Sequence, residues 1–336
     1  INFQTLIATK ARRVCIAAHG DTVLEFGLRR AQGFDGALSA TRAAYIGGVH
    51  ATSNVLAGKL LDIPIKGTHA HAWVMMFETE REAFEAYAQA MPNNCVFLVD
   101  TYDTCQGVRT AIEVGRHLRT IGHEMLGIRL DSGDLVALSI EARRLLNEGG
   151  FPKAKIVASD SLNEHRIKEL KENGAQIDIW GVGTNLVTSQ DQPALGGVYK
   201  LSAQQATPDS EWIPKIKLSN SAIKVSNPGR LQVHRCINPQ GEWVADIMGD
   251  VSEKNIDTDQ LHHLDGTPVR LFSELVITPM LQPYLRKGKR VSPSESIHQM
   301  RTRSQQTQTC HAVMPLLTNN TWQIKKMLID RHRPSE

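Results

Sequence analysis

The sequence predicts an α/β protein, a (β/α) barrel followed by a smaller, partly β second region. Three observations carry this. Strand-like apolar runs alternate with helical patterns at a steady interval, the reactive-looking residues fall where those runs end, and the composition shifts after about residue 201. The runs end near Gly67, Asp100, Leu130, Ser159 and Gly181, in steps of 33, 30, 29 and 22 residues. A βαβ unit takes about 30 residues, so this is the rhythm of consecutive right-handed crossovers. A doubly wound open sheet has a similar rhythm but gathers its polar groups at one or two switch-point strands. Here they stand at every strand end, which favours the barrel.

The elements follow in order. Residues 1–17 form an amphipathic helical pattern (Phe3, Leu6, Ile7, Val14, Ala17), and because Ile1 lies inside it, further residues are expected before it. Glu25-Phe26-Gly27-Leu28-Arg29-Arg30 is a strand end carrying paired guanidinium groups. Arginine binds phosphate and pyrophosphate bidentately, and plain surface solvation is the alternative. Residues 45–59 read as helix, glycine turn, hydroxyl-rich N-cap at Thr52-Ser53, and helix; capping alone accounts for either hydroxyl. The run 63–66 ends in Gly67-Thr68-His69-Ala70-His71, and 95–99 ends in Asp100-Thr101-Tyr102-Asp103-Thr104. Helical patterns occupy 80–90 and 104–121.

The run 125–130 stops abruptly at Arg129, Asp131, Ser132, Gly133 and Asp134, ahead of a helix over 135–146 with Ser132 as its expected N-cap. Charged groups at a strand end facing a helix N-terminus are placed for work on an anion. The run 155–158 ends in Ser159-Asp160-Ser161 before a helix over 162–172, and 177–180 ends in Gly181-Val182-Gly183-Thr184. The two glycines allow backbone amides close to a phosphate; a tight turn needing positive φ explains them equally well. His69 and His71 point the same way if their strand continues. They read as a zinc pair, as satisfied structural groups or, for one of them, as a nucleophile. The other strand ends offer Asp, Ser, Thr and Gly instead of further histidine ligands, which weighs against zinc.

With 336 residues, about two domains are expected. A net charge of +3 and 5% aromatics give no case for nucleic acid. The five cysteines (Cys15, Cys95, Cys105, Cys236, Cys310) are dispersed without a Cys-x-x-Cys, and read as reduced thiols in a cytoplasmic protein. No apolar run approaches the roughly 20 residues of a membrane span, and no signal peptide is expected. Residues 206–228 hold prolines, lysines and serines without periodicity. Alternating runs follow at 230–237, 243–248 and 268–277, then a basic patch, Arg286-Lys287-Gly288-Lys289-Arg290, and a helical pattern near 292–305. The expected division is therefore 1–226 for the catalytic domain and 227–336 for the second region.

Taken together the motifs resemble the nicotinate phosphoribosyltransferase family. The matching residues are Glu25 to Gly33 in unbroken order, Ala43-Ala44-Tyr45-Ile46-Gly47-Gly48, Gly67-Thr68-His69-Ala70-His71, Val99-Asp100-Thr101-Tyr102-Asp103-Thr104, the Arg129 segment and Trp180-Gly181-Val182-Gly183-Thr184. Val198-Tyr199-Lys200-Leu201 and Asn227-Pro228-Gly229 continue the match. The resemblance implies the irregular α/β barrel of the type II phosphoribosyltransferases. It also implies a second domain built from the N-terminal segment with part of the C-terminal region. The implied reaction joins nicotinate to phosphoribosyl pyrophosphate, giving nicotinate mononucleotide and pyrophosphate. ATP hydrolysis is coupled through a phosphohistidine, and Mg2+ accompanies ATP and the pyrophosphate, with no tightly bound cofactor.

By the same resemblance His71 is the phosphorylated histidine of a Gly-Thr-x-Ala-His pattern, with His69 at its variable position. Arg129 holds the pyridine carboxylate and Asp131 contacts the ribose; Arg29 meets the pyrophosphate. Ser159, Asp160, Gly181, Gly183 and Thr184 cradle the 5′-phosphate and ribose. Ser53 stands where the related nicotinamide enzymes have aspartate, which suits an anionic pyridine acid. The family's N-terminal Thr-Asp-Leu-Tyr-Gln segment, source of an aromatic group that stacks on the pyridine, is absent from this chain. A homodimer with sites near its interface is implied, without nucleic-acid or membrane partners. Three other readings stay in view: a quinolinate phosphoribosyltransferase, which needs more basic residues, a metal-dependent barrel hydrolase using His69 and His71, and a ligand-binding dimer without turnover.

Overall fold

The computed structural model describes residues 1–221, 224–271, 274–306 and 313–333, so Cys310 lies outside the described residues. Two compact units divide the chain: Ile1–Gly196 with Glu295–Thr307, and Gly197–Ser294 with Gln308–Glu336.

In the first unit six short strands form one sheet: β1 (Thr22–Glu25), β2 (Ala51–Thr52), β3 (Val96–Leu98), β4 (Gly127–Leu130), β5 (Lys155–Ala158) and β6 (Ile179–Val182). Their spatial order is β2-β1-β6-β5-β4-β3, and every neighbouring pair is parallel. The sheet curls into a half-barrel with β2 and β3 at its edges. Parallel strands covered by crossover helices must be apolar on both faces. Accordingly Val23, Phe97, Leu98, Ile128, Leu130, Ile156, Trp180 and Val182 are all buried.

The helices are α1 (Asn2–Ala17), α2 (Gly33–Gly47), α3 (Val55–Leu61), α4 (His71–Val74), α5 (Glu80–Ala90), α6 (Thr104–Thr120), α7 (Leu135–Glu148), α8 (Glu164–Glu172) and α9 (Thr184–Val187). None of the helices among the described residues is long and apolar enough to cross a membrane. Local chemistry sets their starts. Thr79 and Glu82 form a capping box on α5, and Asp103 and Asn163 cap α6 and α8.

Two expected caps move. Asp134, not Ser132, caps α7, accepting from the amides of Val136 and Ala137 at 3.0 and 3.2 Å. Asn54, not Thr52 or Ser53, caps α3. In both cases the expected hydroxyl is engaged elsewhere: Ser132 on Asp100 and Thr52 on Glu25. The strand expected over 63–66 reduces to a single bridge between Ile65 and Thr52.

The second unit opens with a hairpin of β7 (Ala203–Gln205) and β8 (Trp212–Pro214). Its main sheet combines β9 (Leu231–Ile237), β10 (Trp243–Asp250), β11 (Leu261–His263), β12 (Pro268–Val269), β13 (Val276–Pro279) and, from the end of the unit, Met314–Thr318. Cys236, Ala245, Ile247, Leu261 and Leu316 form its small core. The basic patch becomes a two-stranded hairpin of β14 (Leu285–Arg286) and β15 (Lys289–Arg290), turning at Lys287 and Gly288, both at positive φ.

The observed division falls earlier than the expected 226/227 boundary, and the first unit regains a segment near 300. Residues after Gly196 side with the second unit because the Gly229 amide donates to the Ser202 carbonyl at 2.8 Å and the Arg230 guanidinium lies 5.0 Å from the Trp212 ring centre. The helix α10 (Ile297–Gln306) rejoins the first unit through Arg301. That guanidinium donates to the Tyr45, Gly48 and Val49 carbonyls and lies 4.5 Å from the Tyr45 ring centre. Carbonyls at a helix C-terminus lack internal partners and carry the negative end of the dipole, so a cation is the fitting cap. Arg301→Ala should therefore cost about 2 kcal/mol of unfolding free energy in denaturant titration, while Arg301→Lys should recover part of it.

Candidate active site

The carboxyl ends of the six parallel strands, with the turns that follow them, surround a cavity of about 610 Å³. His71, Arg129, Asp131, Ser53, Arg29, Ser159, Asp160, Gly181, Gly183 and Thr184, all the residues singled out from sequence, line it. Crossover topology is what gathers them: they come from the ends of β1, β2, β4, β5 and β6 and the turns beyond them, with His71 at the start of α4.

Arg129, the third residue of β4, is braced on three sides. Its Nε donates to Ser159 Oγ at 2.6 Å, Nη1 to Thr68 Oγ1 at 3.0 Å and Nη2 to Asp131 Oδ1 at 2.8 Å. A guanidinium has five N–H donors, so one remains on each Nη, a fork that suits a carboxylate. The Phe26 ring centre lies 5.6 Å from the guanidinium carbon and offers a flat face beside that fork.

Ser159 accepts from Arg129 and donates its own proton to Asp131 Oδ1 at 2.5 Å. The hydroxyl expected in a phosphate cradle is thus directed at Asp131 and positions the arginine and the carboxylate. Gly181 and Gly183 are not at positive φ, so the plain turn reading does not account for them. A Cβ at Gly181 would stand 2.7 Å from the Phe26 ring, and one at Gly183 would stand 3.3 Å from the Phe26 carbonyl oxygen. These glycines make room for Phe26. Asn185 holds the neighbouring turn by donating to the Ser161 and Leu162 carbonyls at 2.8 and 3.0 Å.

The two histidines part company. His69 is buried beside Phe84, Tyr87 and Phe97, and its Nε2 accepts the Leu98 amide at 3.2 Å. Burial pushes its pKa down to about 4, so it is a neutral core residue, and with Nε2 taken by the Leu98 amide it is no partner of His71 in a metal pair. His71 begins α4 on the cavity wall, with Nδ1 3.1 Å from Thr101 Oγ1 and Nε2 3.5 Å from Asp131 Oδ2. Asp100 stands behind it with its side chain 1% exposed. Asp100 Oδ2 accepts from the Asp131 amide and the Ser132 hydroxyl at 2.8 and 2.7 Å. Its Oδ1 is buried without a hydrogen-bond partner, 4.0 Å from His71 Nε2. Glu80, half-buried, has its carboxyl pushed up to about 7 by burial, then by Asp100 and Asp103.

Sequence reasoning passed over several residues that shape the site. Thr68, Phe26 and Ser161 line the cavity, Thr101 holds His71 with Asp100 behind it, and Glu25 holds the turn that carries Phe26 and Arg29. The Glu25 carboxylate is buried, receiving the Gly27 amide and the Thr41 and Thr52 hydroxyls. All but Thr41 were inside quoted motifs, but a motif does not say which carboxylate faces a ligand and which faces a neighbour.

A model of the nicotinate phosphoribosyltransferase family matches residues 22–222, and a model of the nicotinate phosphoribosyltransferase C-terminal domain matches 230–310. A nicotinate phosphoribosyltransferase of Bacillus subtilis is 49% identical over 255 residues, covering 73% of this chain and 50% of its own length. The crystal structure of human nicotinic acid phosphoribosyltransferase superposes with a TM-score of 0.79 at 25% identity, covering 98% of this chain and 75% of that one. A nicotinate-nucleotide pyrophosphorylase of Pyrococcus furiosus shares the fold, with a TM-score of 0.64 at 23% identity over 91% of this chain and 70% of that one. The fold is that of the type II phosphoribosyltransferases. The chain spans about half the length of the first curated relatives it matches.

The His69 environment makes stability depend on pH. The unfolded chain binds a proton near pH 6.5 that the folded chain resists until about pH 4, so folding stability should fall as pH is lowered through that window. The slope per group is at most about 1.4 kcal/mol per pH unit. His69→Gln keeps an acceptor for Leu98 and should flatten this part of a pH–stability profile measured by urea unfolding.

Proposed function

The chain belongs to the nicotinate phosphoribosyltransferase family, and on that premise we propose that its cavity joins nicotinate to phosphoribosyl pyrophosphate. The products are nicotinate mononucleotide and pyrophosphate, the first step of NAD salvage from nicotinate, and ATP hydrolysis drives it through a phosphohistidine at His71. The observation that carries the reading is the Arg129 fork, two uncommitted N–H groups braced beside the Phe26 ring at the strand ends. A planar aromatic acid of pyridine size satisfies both at once.

In this reading the nicotinate carboxylate takes the Arg129 fork and the pyridine ring lies along Phe26, which aims the ring nitrogen at the anomeric carbon. Ser53 lines the same cavity, and a neutral hydroxyl there does not repel the acid. As pyrophosphate leaves, positive charge grows on the ribose, and Asp131, held by Arg129 and Ser159, offers a fixed carboxylate to stabilise it. Arg29 and Arg30 reach the pyrophosphate; Asp160, Gly183 and Thr184 border the space for the ribose and 5′-phosphate. Mg2+ arrives as part of the ATP and phosphoribosyl pyrophosphate complexes, and the carboxylates of Asp131 and Asp160 face the volume those complexes occupy.

For the ATP step, an Nδ1–H directed at Thr101 leaves the Nε2 lone pair of His71 as nucleophile. Nε2 attacks the γ-phosphorus, the bond to ADP breaks, and the imidazolium that results lies beside Asp131 and Asp100. Water later cleaves the N–P bond. A homodimer and a cytoplasmic setting complete the reading; Cys15, Cys95, Cys105 and Cys236 are free thiols, as a reducing compartment keeps them.

Labelled ATP should phosphorylate the protein at His71. His71→Ala should abolish the label and spare some uncoupled transfer detected by mass spectrometry of nicotinate mononucleotide; label that survives the substitution contradicts the assignment. Arg129→Ala should raise the apparent KM for nicotinate far more than that for phosphoribosyl pyrophosphate, the lost contact being on the order of 2–3 kcal/mol. An unchanged nicotinate KM would mean that the acid is held elsewhere.

A further inference from the structure

We propose that the first unit carries a second small-molecule site, a cavity at the amino ends of its strands that binds an aromatic monocarboxylate and adjoins the reaction cavity at Gly67 and Thr68. The cavity measures about 770 Å³, within the range of ligand sites. Its walls are apolar, built by Leu24, Val96, Met125, Phe151, Val157 and Ile179. Thr22, Val96, Lys155 and Ile179 are the first residues of their strands, which places the mouth at the end of the sheet away from His71.

Charge selects the occupant. Lys66, Arg119, Lys153 and Lys155 line the cavity against a single lining carboxylate, Glu124. Arg119 is committed to Glu124 at 2.7 Å and lies 3.8 Å from the Phe151 ring centre, and Lys155 is committed to Asp178 at 2.9 Å. Lys66 and Lys153, both exposed, are the cations left to meet an anion. An apolar slot under a cationic rim fits a flat ring with one negative end.

Strand register sets the two cavities end to end. Leu98, Arg129, Val157 and Ile179 are successive partners across β3, β4, β5 and β6 and stand in one row. Leu98 and Arg129 line the reaction cavity, while Val157 and Ile179 line the second. Gly67 and Thr68 line both, and Thr68 is the residue that accepts from Arg129 Nη1. No atom lies within 4 Å of the place a Cβ would take at Gly67, so the shared wall is open there. An aromatic acid held under Lys66 and Lys153 therefore waits on the far side of Thr68 from the phosphates. The identification of that acid with nicotinate rests on the function proposed above; the site itself rests on the lining.

Isothermal titration of the purified chain with nicotinate tests this. Two classes of site are expected. Lys66→Glu combined with Lys153→Glu should weaken one class roughly tenfold or more and leave the other. Leu126→Trp, which fills the mouth from an exposed position, should do the same. Arg129→Ala should remove the other class. Benzylamine, a ring of the same size with the opposite charge, should not occupy the lysine-dependent site. If Arg129→Ala leaves both classes intact, the substrate reading fails while the second site stands on its lysine dependence. One class only, lost with Arg129→Ala and indifferent to the lysine and Leu126 variants, overturns the second site. So does the absence of any binding at millimolar nicotinate, or equal competition by benzylamine.

Discussion

The Arg129 guanidinium is the brace on which the reaction cavity is built. It joins β4 to the Ser159 turn after β5, to Thr68 in the segment leading to His71, and to Asp131 at its own strand end. A half-buried charge is tolerated when it is paired and hydrogen-bonded, and here three of the five guanidinium N–H groups have partners that are themselves held. Ser159 is tied to Asp131, and the Asp131 amide to Asp100. The consequence is pre-organisation: the fork and the neighbouring carboxylate keep their geometry without a ligand to impose it. Parallel pairing supplies the other half of the constraint, because it brings successive strand ends to one rim.

Much of this was legible in the sequence. The βαβ rhythm gave the parallel sheet, since apolar runs buried on two faces and spaced near 30 residues leave few other arrangements. Helices α5 and α6 were legible almost to their ends because Thr79 and Asp103 are strong caps. Strand order and the openness of the sheet were not, because nothing local in Ala51-Thr52 marks a two-residue edge strand. Hydroxyl residues were the commonest source of error. Ser132, Thr52 and Ser159 all carry short donors that suit a cap or a phosphate, and all three are spent on carboxylates at the ends of neighbouring strands, far away in sequence. Choosing among such partners needs tertiary information.

The paired histidines make the same point from the other side. Two residues apart, they would share a face in a continuing strand, yet the chain turns into α4 at His71 and leaves His69 in the aromatic core. Identical side chains thereby acquire opposite duties, one neutral and sheltered, the other half-exposed among carboxylates. The environment, and not the residue type, assigns the chemistry.

The return of α10 to the first unit has a consequence for how the protein is made. Its guanidinium reaches carbonyls some 250 positions earlier, at Tyr45, Gly48 and Val49. A ribosome exposes α2 long before it exposes Arg301, so the nascent half-barrel waits for this contact until the intervening residues have emerged. The first unit thus begins to form well before the last of its own contacts can be made.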